Sequence, residues 1–447
     1  MISPRQAWLP LAAAVCIAAE PGAVEVLARF GEIARRNAAR LPDCTCVETI
    51  NRSYYRANIS TPLRDCDALA AAKKKRGYKL TLESTDRVRL DVRTTVADEM
   101  YSWPGAGRFD ARDLWEKIGY GPGSSGPFDE TLRQVVQGDA IDFAFQGETE
   151  TGGRKLYQYS FRVPEERSHW EIHIGGQSVA TSWDGTLLID PETSEPARMT
   201  TRTSELPADA FSCEIDTAAD YGHTAIGASD VLLARETHER YIDRSGAEVE
   251  SVVTFSDCRE LPAPRVYSGA PTDPAIALDA SADARRLDLP AGLPVEIELT
   301  TAIDSATAAA GDRFAGNVVQ AVRDNSRTLV PAGSAVAGRL TKVAVHMQPA
   351  EVAIVMHVET VNIHGADVPV HLAGRFIPKG GWLREMLGSL TVGAGAGGGG
   401  GGASGPVNVI HPPPIQGETD ALSFPGTHKT LDPGFKTEWL TVEPAQP

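Results

Sequence analysis

Two short segments of this chain repeat each other, and each opens a run of alternating residues. Leu289-Pro290-Ala291-Gly292 precedes Val295-Glu296-Ile297-Glu298-Leu299, and Leu329-Val330-Pro331-Ala332-Gly333 precedes Ala335-Val336-Ala337-Gly338-Arg339-Leu340. Proline presets φ for the first central position of a tight turn, and glycine closes it. The period of two that follows is that of a strand with one wet face. A third turn, Asp432-Pro433-Gly434, launches residues 435–442 in the same way. First and last strands of one kind are what closure of a small barrel or sandwich needs, so residues 287–443 are expected to form one.

Alternation also runs through the earlier part of the chain. Residues 79–83, 87–93, 157–163, 170–174, 179–190, 197–203, 213–221, 232–243 and 249–255 all read as strands. Asp184-Gly185 and Asp243-Arg244-Ser245-Gly246 read as the turns between neighbours. This predicts a large antiparallel sheet of sequential hairpins with a few helices against one face, in a mainly β (α+β) chain. One helix is expected over 24–41, where Val24, Leu27, Phe30, Ala34, Ala38 and Leu41 share a face. A second is capped by Thr61, with Pro62 at its first position, Asp65 and Asp67 in its early turns and Gly77 at its close. Lys73-Lys74-Lys75-Arg76 then falls in the last turn, where cations complement the helix dipole. Two more short helices are expected near 110–118 and 128–136.

At 447 residues the chain exceeds what one core usually organises. Pro262, Pro264, Gly269, Pro271 and Pro274 mark the boundary, and residues 263–286 read as a Pro/Ala-rich linker. Within 287–443, Trp382, Leu383, Met386, Leu387 and Leu390 have helical spacing. The Gly393–Gly402 run that follows cannot repay its ordering entropy, so 391–420 is expected to be a disordered insertion.

Arg5 before the apolar stretch from Ala7 to Ala19 reads as a short secretory signal over 1–19, too short to span a membrane. Cys16 would suggest lipid anchoring, but Val15 stands where such signals need a small residue. The remaining cysteines, Cys44, Cys46, Cys66, Cys213 and Cys258, suit an oxidising compartment as two bridges and one spare thiol. Cys213 with Cys258 is one plausible pair, and Cys66 with Cys44 or Cys46 the other. Cys44-Thr45-Cys46 alone reads as one bridged and one buried cysteine rather than a metal site.

A formal charge of -16 repels phosphate backbones, which makes nucleic acid an unsuitable partner. Gly121-Pro122-Gly123-Ser124-Ser125-Gly126 matches a dinucleotide fingerprint only in letters, because helical residues rather than a strand precede it. His169 and His173 on a strand would stand more than about 10 Å apart, too far to share a metal. His238-Glu239 lacks a second His four residues on, and His346, His357, His364 and His371 are scattered singly. No catalytic constellation, cofactor site or metal site assembles from the pattern.

Residues 289–292, Ile303-Asp304-Ser305, Gly311-Asp312 and 329–334 with Gly338 resemble the TrbI-like β-barrel of bacterial conjugation and type IV secretion. That resemblance implies an envelope assembly in which the barrel oligomerises. Leu188-Ile189-Asp190-Pro191-Glu192-Thr193 with Pro196-Ala197-Arg198 resembles the lipoprotein-carrier (LolA-like) half-barrel. It implies for 20–262 a curved antiparallel sheet around helices, with an apolar cavity for acyl chains or a partner peptide. Leu41-Pro42-Asp43 before Cys44, with 255–260, resembles a family of secreted two-domain bacterial proteins that brings no activity with it. The expectation is a non-enzymatic exported protein of the periplasm or outer membrane, binding a lipid, an acyl ligand or an envelope partner. The alternatives are a secretion or surface assembly component, as a homo-oligomer, and a hydrolase built from dispersed residues.

Overall fold

The computed structural model describes residues 21–59, 65–94, 99–106, 109, 132, 135–136, 141–168, 171–174, 177–203, 206, 212–261, 289–374 and 421–443. The expected signal, the 110–118 helix, the glycine fingerprint, the linker and the Trp382–Gly402 insertion lie outside them. Of the 128–136 helix, Leu132, Val135 and Val136 are described, and they are helical.

Helix α1 (Pro21–Arg40) turns Ala23, Val26 and Phe30 inward. Helix α2 (Cys66–Lys73) starts later than its sequence suggests, because Asp65 caps it by accepting a 2.8 Å hydrogen bond from the Ala68 N–H. Removing that acceptor leaves a helix donor unsatisfied, so Asp65→Ala is expected to cost about 1 kcal/mol, read as a lower urea midpoint.

Twelve strands follow in the first part of the chain. They are β1 (Cys44–Ala57), β2 (Leu80–Thr94), β3 (Glu99–Ser102), β4 (Asp142–Thr151), β5 (Arg154–Val163) and β6 (Glu171–Ile174). Then come β7 (Gln177–Ala180), β8 (Trp183–Ile189), β9 (Pro196–Thr203), β10 (Ser212–Ile226), β11 (Ser229–Asp243) and β12 (Glu248–Glu260). Ten of them form an antiparallel sheet in the order β3-β2-β1-β12-β11-β10-β9-β8-β5-β4. β6 and β7 pair only with each other. Residues 80–94 are one continuous strand rather than two.

Asp184-Gly185 is not a turn but the start of β8, facing Phe161 across β5. A Cβ at Gly185 would lie 2.1 Å from the Thr200 carbonyl oxygen and 2.7 Å from the Phe161 ring. The glycine is there for that close approach rather than to reverse the chain. The Asp243–Gly246 turn does join β11 to β12, closed by the Gly246 N–H donating to the Asp243 carbonyl at 3.0 Å.

The bridges are Cys46–Cys258 and Cys66–Cys213, with Cys44 left as a buried thiol. The expected Cys213–Cys258 pair is therefore absent, as is Cys66 with either early cysteine. Strand order explains the correction: β1 lies beside β12, so Cys46 meets Cys258, while α2 brings Cys66 to β10. Burial, then the Asp43 and Glu260 carboxylates, pushes the Cys44 thiol up to about 12, which keeps it protonated and inert.

In the later part, β13 (Pro294–Leu299), β14 (Ile303–Asp304), β15 (Arg313–Val318), β16 (Val322–Asp324), β17 (Arg327–Val330) and β18 (Ala335–Met347) come first. β19 (Ala350–Ile363), β20 (Ala366–Pro369), β21 (Leu372–Gly374), β22 (Ala421–Pro425), β23 (Thr430–Leu431) and β24 (Lys436–Thr441) complete it. Pairing runs β24-β13-β15-β18-β19-β20, and β21 returns to β24. The Val370 N–H donates to the Glu359 carbonyl and the Val442 N–H to the His371 carbonyl, which closes the ring. Ile297, Leu340, Ile354 and Trp439 fill its interior. Gly292, Gly333 and Gly434 all have positive φ (89°, 78° and 93°). Their N–H groups donate to Thr441, Val318 and Leu299, so the three turns tie the barrel's first, middle and last strands to their neighbours.

The barrel is stitched to the sheet along the outer edge of β2. His346, Val345 and Ala344 of β18 pair with Ser84, Thr85 and Asp86. Ala310 then exchanges backbone hydrogen bonds with Arg87 and Arg89, and β3 takes 91–94. Side chains reinforce the seam: Arg89 pairs with Asp312, and Arg339, held within the barrel by the Gly311 carbonyl, reaches across to the Pro104 carbonyl. The covered edge leaves no exposed backbone ladder between residues 84 and 94 for another chain to pair with.

Candidate functional site

One face of the sheet carries the helix. Tyr159, Phe161, Leu187, Ile189 and Met199 point toward Phe30 and Val26 of α1 in a single apolar cluster. At the other end of the same face, Tyr54, Ile215, Tyr241 and Val249 pack with Val179 and Leu206. Between these two apolar zones runs a row of directly paired residues of a different kind. From β9 to β2 it reads Thr201, Thr217, Glu239, Ser251, Arg52 and Asp86. Gly185 and Phe161 continue it on β8 and β5.

A cavity of about 730 Å³ is centred on this row. Strands β8 to β12 each give it three consecutive residues: 184–186, 200–202, 216–218, 238–240 and 250–252, with Ser160 and Phe161 from β5. Phe161, Thr201 and Ser251 are buried, and Glu239 is 9% exposed. The chamber is therefore lined mainly by polar residues, with Phe161, Ala218 and Val252 its apolar side chains, and the two apolar clusters flank it. That refines the wholly apolar cavity implied by the lipoprotein-carrier resemblance.

The polar row divides into satisfied and unsatisfied parts. The Thr201 and Thr217 hydroxyls share a hydrogen bond of 2.6 Å. Arg52 grips Asp86 with two hydrogen bonds, Nε to Oδ1 at 2.8 Å and Nη2 to Oδ2 at 2.7 Å, and the Tyr54 hydroxyl donates to the same carboxylate. Between these pairs, Glu239 Oε2 and Ser251 Oγ have no hydrogen-bond partner among the described residues. Burial pushes the Glu239 carboxyl up to about 8, so with no cation beside it the group is largely a neutral acid at pH 7.

Strand alternation separates neighbours that look like one motif in sequence. His238 is exposed on the outer face while Glu239 is buried on the inner one. On that outer face Asp220, Glu236 and His238 bring ligand atoms within 4.8 Å of one another, a grouping the sequence reading missed because Asp220 comes from another strand. Arg198 already donates two hydrogen bonds to Asp220, so a cation there would compete with a guanidinium. The other histidines stay apart: His346 bonds the Pro349 carbonyl and His428 bonds Asp304. His173 sits in β6, and His169 lies outside the described residues. Of the cysteines, none lines the chamber.

Glu239 had one legible signal. It sits at the inward parity of β11, between Thr237 and Tyr241, where an acidic residue costs free energy unless it is used.

The fold and its chamber define a class of protein: a curved antiparallel sheet with a helix on one face and a strand-lined site beside it, and a small barrel fused to one edge. No family model and no curated protein matches the sequence. Among solved structures, the chain is similar to a DUF1329 family protein from Desulfovibrio piger, at 12% identity and a TM-score of 0.25, covering 53% of this chain and 94% of that one. A LolA superfamily protein from Nitrosomonas europaea matches at 11% identity and 0.22, covering 54% and 94%. The lipoprotein LppX of Mycobacterium tuberculosis matches at 9% and 0.19, covering 54% and 97%.

Proposed function

We propose that this chain is a non-catalytic binding protein of the cell envelope that holds an apolar-bodied ligand in the chamber on the α1 face of the sheet, beside the helix. The observation that carries the reading is the chamber itself. A space of about 730 Å³ is the size of a drug-sized ligand site, and its floor spans six adjacent strands. Such a floor is rigid, because each strand is held on both sides. Two disulfides support an oxidising compartment. Among the described residues no helix is long and apolar enough to cross a membrane. The barrel enters this reading as the element that covers and fixes the β2 edge.

The test is direct. Full-length protein is extracted with organic solvent and its ligands identified by mass spectrometry, and the stripped protein is titrated with a fluorescent twelve-carbon acyl probe. Saturable binding is expected, and Thr217→Trp, which fills the chamber from β10, is expected to weaken it by about tenfold or more. A protein that carries no ligand and binds no acyl probe would overturn the reading.

A further inference from the structure

Resting on that reading, we infer that the chamber recognises a cationic head group, a primary ammonium on an apolar body, through Glu239 and Ser251. They are directly paired across β11 and β12, at the β12 end of the cavity lining. Glu239 is 9% exposed and Ser251 1% exposed, yet Glu239 Oε2 and Ser251 Oγ take no partner from the protein. A buried acceptor left unmade costs free energy, and two adjacent ones that also line a cavity point to a ligand donor there.

The rest of the lining selects the sign of that donor. Arg52, next on the row beyond the lining, is engaged by both oxygens of Asp86, and the two arginines that border the cavity, Arg202 and Arg240, are both paired with Asp216, so none offers a free charge to an anion. The Thr201 and Thr217 hydroxyls are turned to each other. Among the described residues, the ionisable groups near Glu239 on this face are the Arg52–Asp86 pair, Tyr241 on its own strand, Tyr101, and the Glu48 and Glu99 carboxyls beside Tyr101, neither of which lines the cavity; the Tyr101 hydroxyl donates to Glu99. Both tyrosines are held neutral by burial. An ammonium therefore meets one carboxyl able to ionise and one hydroxyl able to accept. A carboxylate or phosphate meets no free cation.

Ionisation couples recognition to proton release. With no cation beside it Glu239 is mostly protonated at pH 7, and pairing with an ammonium requires its carboxylate. The proton leaves to solvent as the ion pair forms. A neutral alcohol of the same length has no such requirement.

Stripped full-length protein is titrated with dodecylammonium, dodecan-1-ol and dodecanoate by calorimetry at pH 7, in two buffers of different ionisation enthalpy. The ammonium is expected to bind about tenfold tighter than the alcohol and to release about one proton. The alcohol is expected to release none and dodecanoate to bind weakest. Glu239→Gln is expected to bring the ammonium and alcohol affinities within about twofold and to abolish proton release. Alcohol binding without an ammonium preference overturns this inference and leaves the chamber reading standing. Absence of binding by all three overturns both. A carboxyl-to-amide change of equal size in the same hydrogen-bonding role keeps the fold, which circular dichroism checks before titration.

Discussion

Arg52→Ala is expected to destabilise the protein by about 4 kcal/mol, measured by urea unfolding at pH 7. The reason lies in the burial of both partners. The Arg52 and Asp86 side chains are 1% and 7% exposed, and two hydrogen bonds of 2.8 and 2.7 Å join them. Removing the guanidinium leaves the carboxylate inside with only the Tyr54 hydroxyl, at 3.3 Å, to replace it. An uncompensated buried charge costs more than the intact pair contributes, which is why breaking a pair and replacing it have different signs. The double variant Arg52→Met with Asp86→Leu is accordingly expected to recover most of the loss. Asp86 also pairs with Ala344 of β18, so the single variant strains the junction between sheet and barrel. A loss below about 1 kcal/mol for Arg52→Ala would show that the pair is solvated and the row is open.

The second large effect is a pH dependence centred on Glu239. Burial raises its carboxyl from 4.5 to about 8. Below pH 4.5 the group is protonated whether the chain is folded or not, and its environment costs nothing. Between 4.5 and about 8 the folded state keeps a proton that the unfolded state has released, so stability falls as pH rises. Above that range both states are ionised and the loss is complete. The slope from this one group approaches about 1.4 kcal/mol per pH unit. Glu248, also raised chiefly by burial, contributes in the same direction, so the comparison with Glu239→Gln isolates the effect. Urea midpoints measured from pH 5 to 8 are expected to fall more steeply in the parent than in the variant. Parallel profiles would mean that Glu239 is ionised throughout and solvated.

Much of the architecture is legible in the sequence because it is encoded locally. The three Pro/Asp-Pro/Gly turns and the Asp243–Gly246 reversal are each decided by a few neighbouring residues, and the structure has them; the α1 helix is present too, but its buried face is Ala23, Val26 and Phe30, with Val24 and Ala38 of the expected stripe exposed. What depends on strand order is not legible. Alternation over 232–243 puts Glu239 on one face of its strand, but no strand is expected over residues 44–57, and nothing local says that β1 lies beside β12 or that Glu239 faces Ser251. The disulfide partners, 212 and 147 residues apart, follow from that order alone. Gly185 misleads for a related reason. Its cause is Phe161, which lies 24 positions away along the chain and directly opposite in space. The candidate site is hidden in the same way, since each strand gives it a single inward side chain and no window of sequence contains two of its paired members.

The seam on β2 makes each half specific to the other. A sheet edge trimmed to fit one barrel, with Arg89 answering Asp312 and Arg339 answering the Pro104 carbonyl, does not suit a foreign neighbour. Either half grafted onto a foreign partner would carry a surface cut for a different strand.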